Sequence, residues 1–129
     1  MAAITIVAYN GVTARANTTS AQSAAATVIK KVEIYNAEEA GYPTAFSQLT
    51  TASQTEAFHL TGVTVSGTAI AAQPTSPNTV NLWRCPATGT ITGMMARYWK
   101  YDGTVGLTNL TTGTGAPATG TTGCAIVAS

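Results

Sequence analysis

Charged residues are scarce in this chain of 129 residues. They make up 9% of the sequence, with six basic and five acidic side chains, and the net charge is +1. Proteins that bind nucleic acid or an anionic membrane mainly by charge carry a marked excess of basic residues. The composition therefore provides no general attraction towards either partner. An apolar content of 45% argues against disorder, and the length fits a single domain, residues 1–129, with its own core.

Side chains that commonly perform catalysis or bind metals are also few. His59 is the only histidine and Glu56 is its only neighbouring carboxylate, so a Ser-His-Asp triad has little support and we interpret His59 as a packing or surface residue. Asp102 lies in a predicted turn. The other carboxylates lie on one predicted helix, which disfavours a paired acid–base site: Glu33, Glu38 and Glu39. We therefore expect no enzymatic activity, no metal and no cofactor.

The sequence lacks a long hydrophobic run. The apolar segment at residues 1–8, MAAITIVA, is shorter than the roughly 20 residues needed to cross a bilayer. It has neither the basic flank nor the small-residue cleavage site of a signal peptide. We interpret it as the later part of a longer apolar helix from which a membrane segment has been removed.

A long stretch without glycine or proline, from Val12 to Ala40, is the feature around which the rest of the chain is organised. It predicts one helix from about residue 4 to residue 40, ended by Gly41, which suits a left-handed cap, and by Pro43 just beyond. About 36 helical residues span roughly 54 Å, whereas a typical globular helix has about 11–12 residues. We expect this helix to extend beyond the domain on which it packs.

The two sides of the predicted helix differ in composition. A turn of 100° per residue gathers one apolar stripe, which we expect to dock on the rest of the protein: Val7, Ala14, Ala21, Ala25, Val28, Val32 and Tyr35. Arg15, Lys30 and Glu33 are expected to face away from it. The opposite side carries small or apolar residues that a single domain would leave in water: Val12, Ala16, Ala26 and Ala37.

The remainder of the chain contains most of the 25 threonines, which favour strands and hydrogen-bonded turns. We predict a connecting loop at about 41–60, with a short helical turn after Pro43, and a sheet at about 61–110. After Thr61 we expect one strand through Val63, Val65 and Ile70, or a strand pair broken at Gly67. Further strands are expected near 79–85, 92–101 and 104–110, the last two joined by a tight hairpin at Asp102-Gly103. A low-complexity loop follows at 111–123, and residues 124–128 form a final short strand or a strapped terminus.

One group of basic residues lies among aromatic residues on the predicted strands. Arg84, Arg97 and Lys100 are half of the six basic residues, and Trp83, Tyr98, Trp99 and Tyr101 surround them in sequence. Such interleaving can hold nucleic acid by phosphate contacts and stacking. It also arises when strand aromatics pack a core and the charges are solvated. We favour the second interpretation, because three positive charges are few for DNA binding.

The two cysteines, Cys85 and Cys124, have no neighbouring histidine and no further thiol, so a zinc site is poorly supported. A disulfide between them fits an exported protein. Closing a loop of 38 intervening residues stabilises a fold by about 4 kcal/mol in the loop-entropy model. The alternative is two unpaired, buried thiols.

Taken together, these segments resemble a type IV pilin. The run from Ala2 to Thr44 resembles the later part of the family's N-terminal helix, followed by its Tyr-Pro-Thr entry into the next segment. Cys85 and Cys124 resemble the cysteine pair that brackets the C-terminal region of many pilins, here residues 85–124, and residues 98–101, YWKY, resemble its sheet aromatics. The processed start of the Phe-Thr-Leu-Ile-Glu-Leu type, with its buried glutamate, is absent here.

The resemblance implies an α+β fold, in which a long N-terminal helix packs on an antiparallel sheet of about four strands. It also implies a structural subunit that polymerises with other pilin copies into an extracellular filament for adhesion, motility or DNA uptake. Before assembly, such a subunit is anchored in the inner membrane and handled by the assembly machinery there. The residues expected to pack in the filament are Ile4, Val7, Val12 and Ala16.

Two other functions remain open at this point. A minor pilin could act as an adhesive or DNA-binding module, with nucleic acid contacted by Arg84, Arg97 and Lys100. A pseudopilin of a type II secretion system shares the long helix but often has a calcium site in place of a disulfide. The cysteine pair and the small number of carboxylates favour a pilin over a pseudopilin.

Overall fold

A computed structural model describes residues 2–50, 57–101 and 107–127, with side chains described from residue 13 onward. The elements in chain order are two helices, α1 (Ala2–Glu39) and α2 (Ser47–Thr50), and five strands, β1 (Thr64–Ser66), β2 (Thr79–Cys85), β3 (Gly93–Trp99), β4 (Leu107–Gly113) and β5 (Ala125–Ile126). Helix α1 packs against one side of a sheet built from these strands. The predicted α+β architecture, a long N-terminal helix on a sheet, is confirmed.

Helix α1 ends one residue earlier than the predicted glycine cap. The left-handed conformation falls on Ala40, whose φ is 57°, and not on Gly41. Pro43 is buried directly after this turn, and α2 follows with Leu49 in the core. Gln48 closes the entry to α2, because its Oε1 accepts hydrogen bonds from the backbone N–H groups of Thr44 and Ala45.

The sheet is mixed, which corrects the expectation of an antiparallel sheet. β2, β3 and β4 are neighbours in antiparallel order, and β5 adds an antiparallel pairing to the C-terminal half of β2. β1 pairs in parallel with the N-terminal half of β2. A parallel pairing needs a crossover of about a dozen residues, and residues 67–78 provide it without a helix.

The hydrophobic core lies between α1 and the helix-facing side of the sheet. Strand alternation gathers on that side Val80, Leu82, Met94 and Ala96, all of them fully buried. Helix α1 contributes four residues of the predicted docking stripe that are fully inaccessible to solvent or nearly so: Ala21, Ala25, Val28 and Val32. Tyr35 at the end of the stripe is half-buried, and its ring meets that of Phe58 edge to face with centroids 4.9 Å apart.

Glu33 does not face away from the sheet as the helical spacing predicts. Its Oε1 accepts a hydrogen bond of 3.0 Å from the Tyr42 hydroxyl and another from the hydroxyl of Thr112 on β4. The carboxylate therefore joins α1, the turn after it and the edge strand. Burial, followed by the hydrogen bond to Glu33 and its charge, raises the pKa of Tyr42, because ionisation would place two negative charges side by side.

Candidate assembly face and outer-sheet pocket

Helix α1 has a docked part and an undocked part. Over the docked part, from Ala21 to Tyr35, the stripe is covered by the sheet. None of the eight side chains from Thr13 to Ser20 is buried. The backbone N–H of Tyr101, just after β3, donates a hydrogen bond of 2.8 Å to Thr18 Oγ1 in this undocked part. Helical backbone continues from there back to Ala2.

The side of α1 opposite the stripe exposes small residues. Ala16, Ala26 and Ala37 are all exposed, as the sequence predicts. We call these three residues the alanine face. The other residues named for filament packing, Ile4, Val7 and Val12, have side chains outside the described residues. Small side chains allow another helix to approach closely, so the alanine face has the shape that helix-to-helix packing requires.

The expected disulfide is present between Cys85 and Cys124. It joins the end of β2 to the residue before β5, next to the point where Arg84 pairs with Ala125. Cys85 is completely buried. The bond closes residues 86–123 into one loop that contains the β3–β4 hairpin, so the C-terminal segment is held against β2 by a covalent bond as well as by strand pairing.

The three basic residues singled out in the sequence do not share one surface. Arg84 pairs with Met94 and therefore belongs to the helix-facing side, where its guanidinium donates to the carbonyl oxygens of Pro86 and Gly89. Arg97 pairs with Asn81 and lies on the outer side. Lys100 follows the end of β3 and is half-buried. Nucleic-acid contact by these residues stays a prediction, and it would have to use both sides of the sheet.

The outer side of the sheet is covered by two loops, each held by a buried or half-buried asparagine. Asn81, which is fully buried, accepts a hydrogen bond from the Ile70 N–H and donates to the carbonyls of Ser66 and Thr68. It fixes the β1–β2 crossover. Asn109 on β4 donates to the carbonyls of Pro117 and Gly120 and thereby fixes the loop that precedes Cys124.

A pocket of about 450 Å³ opens between these two loops. Its floor is Arg97 and Trp99 on β3 with Asn109 on β4, and its walls come from Ile70 on one side and the 118–120 loop on the other. Arg97 Nε donates to Asn109 Oδ1 at 2.8 Å, so the guanidinium plane is held in place. Burial lowers the pKa of Arg97 from its usual value, because the charged form loses hydration there.

Sequence reasoning missed both asparagines as organising residues. Asn109 belongs to an Asn-Leu-Thr sequence that matches an N-glycosylation site, yet its amide nitrogen is occupied by two backbone carbonyls. No local pattern marks Asn81, which alternates with Val80 and Leu82 as a solvent-facing polar residue would. The hydrogen-bond partners of the two asparagines lie in loops that fold back over the outer side of the sheet, and local sequence does not predict this.

Other candidate chemistry is thinly represented. His59 is half-buried, and its buried Nδ1 atom has no hydrogen-bond partner among the described residues. Within residues 2–50, 57–101 and 107–127, no three side chains of His, Cys, Asp or Glu come together in a way that could hold a metal ion. Glu56 and Asp102 lie outside the described residues, as does the Asp102-Gly103 turn of the predicted hairpin.

The chain has no significant match among protein-family models, curated proteins or solved structures. Over the described residues, no helix combines the length and the apolar character needed to span a bilayer. Fold and surface chemistry are therefore the basis for any functional proposal.

Proposed function

We propose that this protein is a structural subunit of a type IV pilin-like filament and that α1 is the element through which copies assemble. The observation that carries the proposal is the difference in length between the helix and its docking site. Helix α1 has 38 residues, which span about 57 Å. The buried stripe on the sheet runs from Ala21 to Val32, which is less than half of the part of α1 whose side chains are described, residues 13–39.

The alanine face supports the same proposal. A helix that serves only one domain usually presents charged or long polar side chains to water, since these solvate the outer face. Here the exposed face carries, beside Lys30, the small residues Ala16, Ala26 and Ala37. In a bundle of α1 helices, such residues permit short distances between helix axes. In such a filament, the turns of the disulfide-closed segment would be displayed at the surface.

In this proposal the subunit is anchored in the inner membrane before assembly and becomes part of an extracellular filament after it. Its partners are then other copies of the chain and the assembly machinery. Adhesion, motility and DNA uptake are the uses that such a filament would have.

The proposal is tested by shearing surface filaments from the cells that make this protein and probing the sheared fraction with an antiserum raised against the purified chain. We expect the protein to be a major or minor component of the filaments and to remain with them through sedimentation. An intracellular marker protein provides the control for lysis. Recovery of the chain only in the soluble cell fraction would overturn the proposal.

A further inference from the structure

We infer that the outer-sheet pocket binds a small acidic sugar, that is, a sugar ring that carries one carboxylate. This site is separate from the filament proposal, because it lies on the side of the sheet opposite α1. Its volume of about 450 Å³ is within the range of about 300–1,000 Å³ that small-molecule sites occupy. The inference depends on Arg97, on its neighbours and on the rigidity of the pocket walls.

Arg97 is an unusual residue for this position. It is half-buried on the outer side of the sheet, and its one protein hydrogen bond among the described residues is the contact of Nε with Asn109 Oδ1. No described carboxylate pairs with it, since Glu33, Glu38 and Glu39 all belong to α1 on the other side of the sheet. Burial of a cation that no described carboxylate balances is costly, and an anion bound in the pocket would offset that cost.

The geometry of the guanidinium selects the kind of anion. Because Nε is already bonded to Asn109, the terminal nitrogens of Arg97 remain available for a ligand. A planar carboxylate matches such a pair of donors with two parallel hydrogen bonds. One cation also balances one carboxylate charge, whereas a phosphate monoester carries a charge of about −1.5 to −2 near neutral pH.

The remaining lining fits a sugar ring better than an extended chain. Trp99, two positions from Arg97 on the same side of β3, provides an aromatic surface in the pocket. Thr119 and the backbone at Gly120 lie beside it and provide a hydroxyl and peptide groups that can bond sugar hydroxyls. An aromatic residue beside a few fixed polar groups is the usual composition of a site that binds small polar rings.

Hydrogen bonds within the protein hold the walls of the pocket. Asn81 holds the crossover that carries Ile70, through three hydrogen bonds of 2.8–3.0 Å. Asn109 holds the 117–120 loop and orients Arg97 at the same time. A site held in this way loses little conformational entropy when a ligand binds, which favours affinity for small molecules.

The test uses the full chain labelled with ¹⁵N, titrated with D-glucuronate while amide chemical shifts are followed by NMR. D-Glucose provides the same ring without the charge, and D-glucose 6-phosphate provides the phosphate comparison. We expect saturable shifts in the amides around Arg97, Trp99 and Gly120. Glucuronate should bind about 10-fold or more tightly than glucose, because hydrogen bonds to charged groups are strong.

Two substitutions localise the effect. R97Q should reduce glucuronate affinity to that of glucose, and the matched change R84Q, on the helix-facing side, should leave it unchanged. Equal binding of glucuronate and glucose by the natural chain would overturn the inference without reference to any variant. Tighter binding of glucose 6-phosphate, or shifts confined to residues away from the pocket, would overturn it as well. Neither result bears on filament assembly, since the titration uses isolated chains.

Discussion

The docked and undocked parts of α1 belong to one continuous helix, yet their side chains differ in burial. From Ala21 to Tyr35 the helix supplies one side of its surface to a dry core, with Ala25, Val28 and Val32 fully inaccessible to solvent. From Thr13 to Ser20 no side chain is buried, and Thr18 accepts a hydrogen bond from the sheet. The difference teaches that the first part contributes side chains to the core, while the second contributes no buried side chain to it.

The largest effect on stability is expected when the same negative charge is placed on each part of α1 in turn. V28D buries an unpaired carboxylate in the core and should lower the free energy of unfolding by about 4 kcal/mol or more. A16D places it in water and should change that free energy by no more than about 0.5 kcal/mol. Urea denaturation followed by circular dichroism measures both. Similar losses for the two variants would mean that Ala16 also packs in the folded core.

Adjacent alanines provide a finer comparison within the docked part. Ala25 is fully buried and Ala26 is exposed on the opposite side. A25L overfills the core and should cost about 1–3 kcal/mol, whereas A26L should lie within about 0.5 kcal/mol of the natural chain. Both changes have nearly the same effect on helix propensity. If the two variants were equally stable in thermal denaturation, the assignment of the two sides of α1 would be wrong.

The contact of Glu33 with Tyr42 marks the C-terminal limit of the docked part. Y42F removes the hydroxyl that donates to the Glu33 carboxylate and should cost about 1–2 kcal/mol, because hydrogen bonds to charged groups exceed those between neutral groups. Y35F is the matched control, since Tyr35 contributes a ring contact with Phe58, and it should change stability by less than about 0.5 kcal/mol. A larger loss for Y35F than for Y42F in urea denaturation would contradict this assignment.

The smallest of these effects on the free energy of unfolding is expected at alkaline pH. Burial raises the pKa of Tyr42, Tyr98 and Tyr101 above the usual value of about 10. A raised folded-state pKa stabilises the protein at pH values below the unfolded-state pKa, and this contribution is lost as pH rises through the folded-state values. Urea midpoints should therefore be constant up to about pH 10 and decline above it. Constant midpoints through the tyrosinate titration, followed by absorbance, would contradict this expectation.

Local sequence patterns predicted the elements well wherever neighbours along the chain decide the structure. The docking stripe followed from the helical period, and β2 was predicted with the bounds it has, Thr79–Cys85. β4 extends further than predicted, to Gly113. The strand periods contain no information on which strands pair, so the parallel β1–β2 contact could not be predicted.

The sequence patterns also could not predict the surroundings of polar residues whose partners are distant in the chain. Glu33 was expected to face solvent, but Tyr42 and Thr112 offer it two donors, one from the following turn and one from β4. Arg97 was grouped with Arg84 by closeness in sequence, although strand alternation and register separate them by the thickness of the sheet. Neither outcome follows from local periodicity, because each depends on contacts made only after the sheet has formed.

The proposed use of α1 is tested most directly by the reactivity of one introduced thiol. Cys85 and Cys124 are joined to each other and the sequence has no other cysteine, so A26C would provide a unique thiol on the alanine face. The control T75C places one on the exposed β1–β2 crossover. The A26C thiol should react with a maleimide in purified chains and be protected in sheared filaments, while the T75C thiol reacts in both. Equal reactivity of the A26C thiol in chains and filaments would contradict assembly through the alanine face.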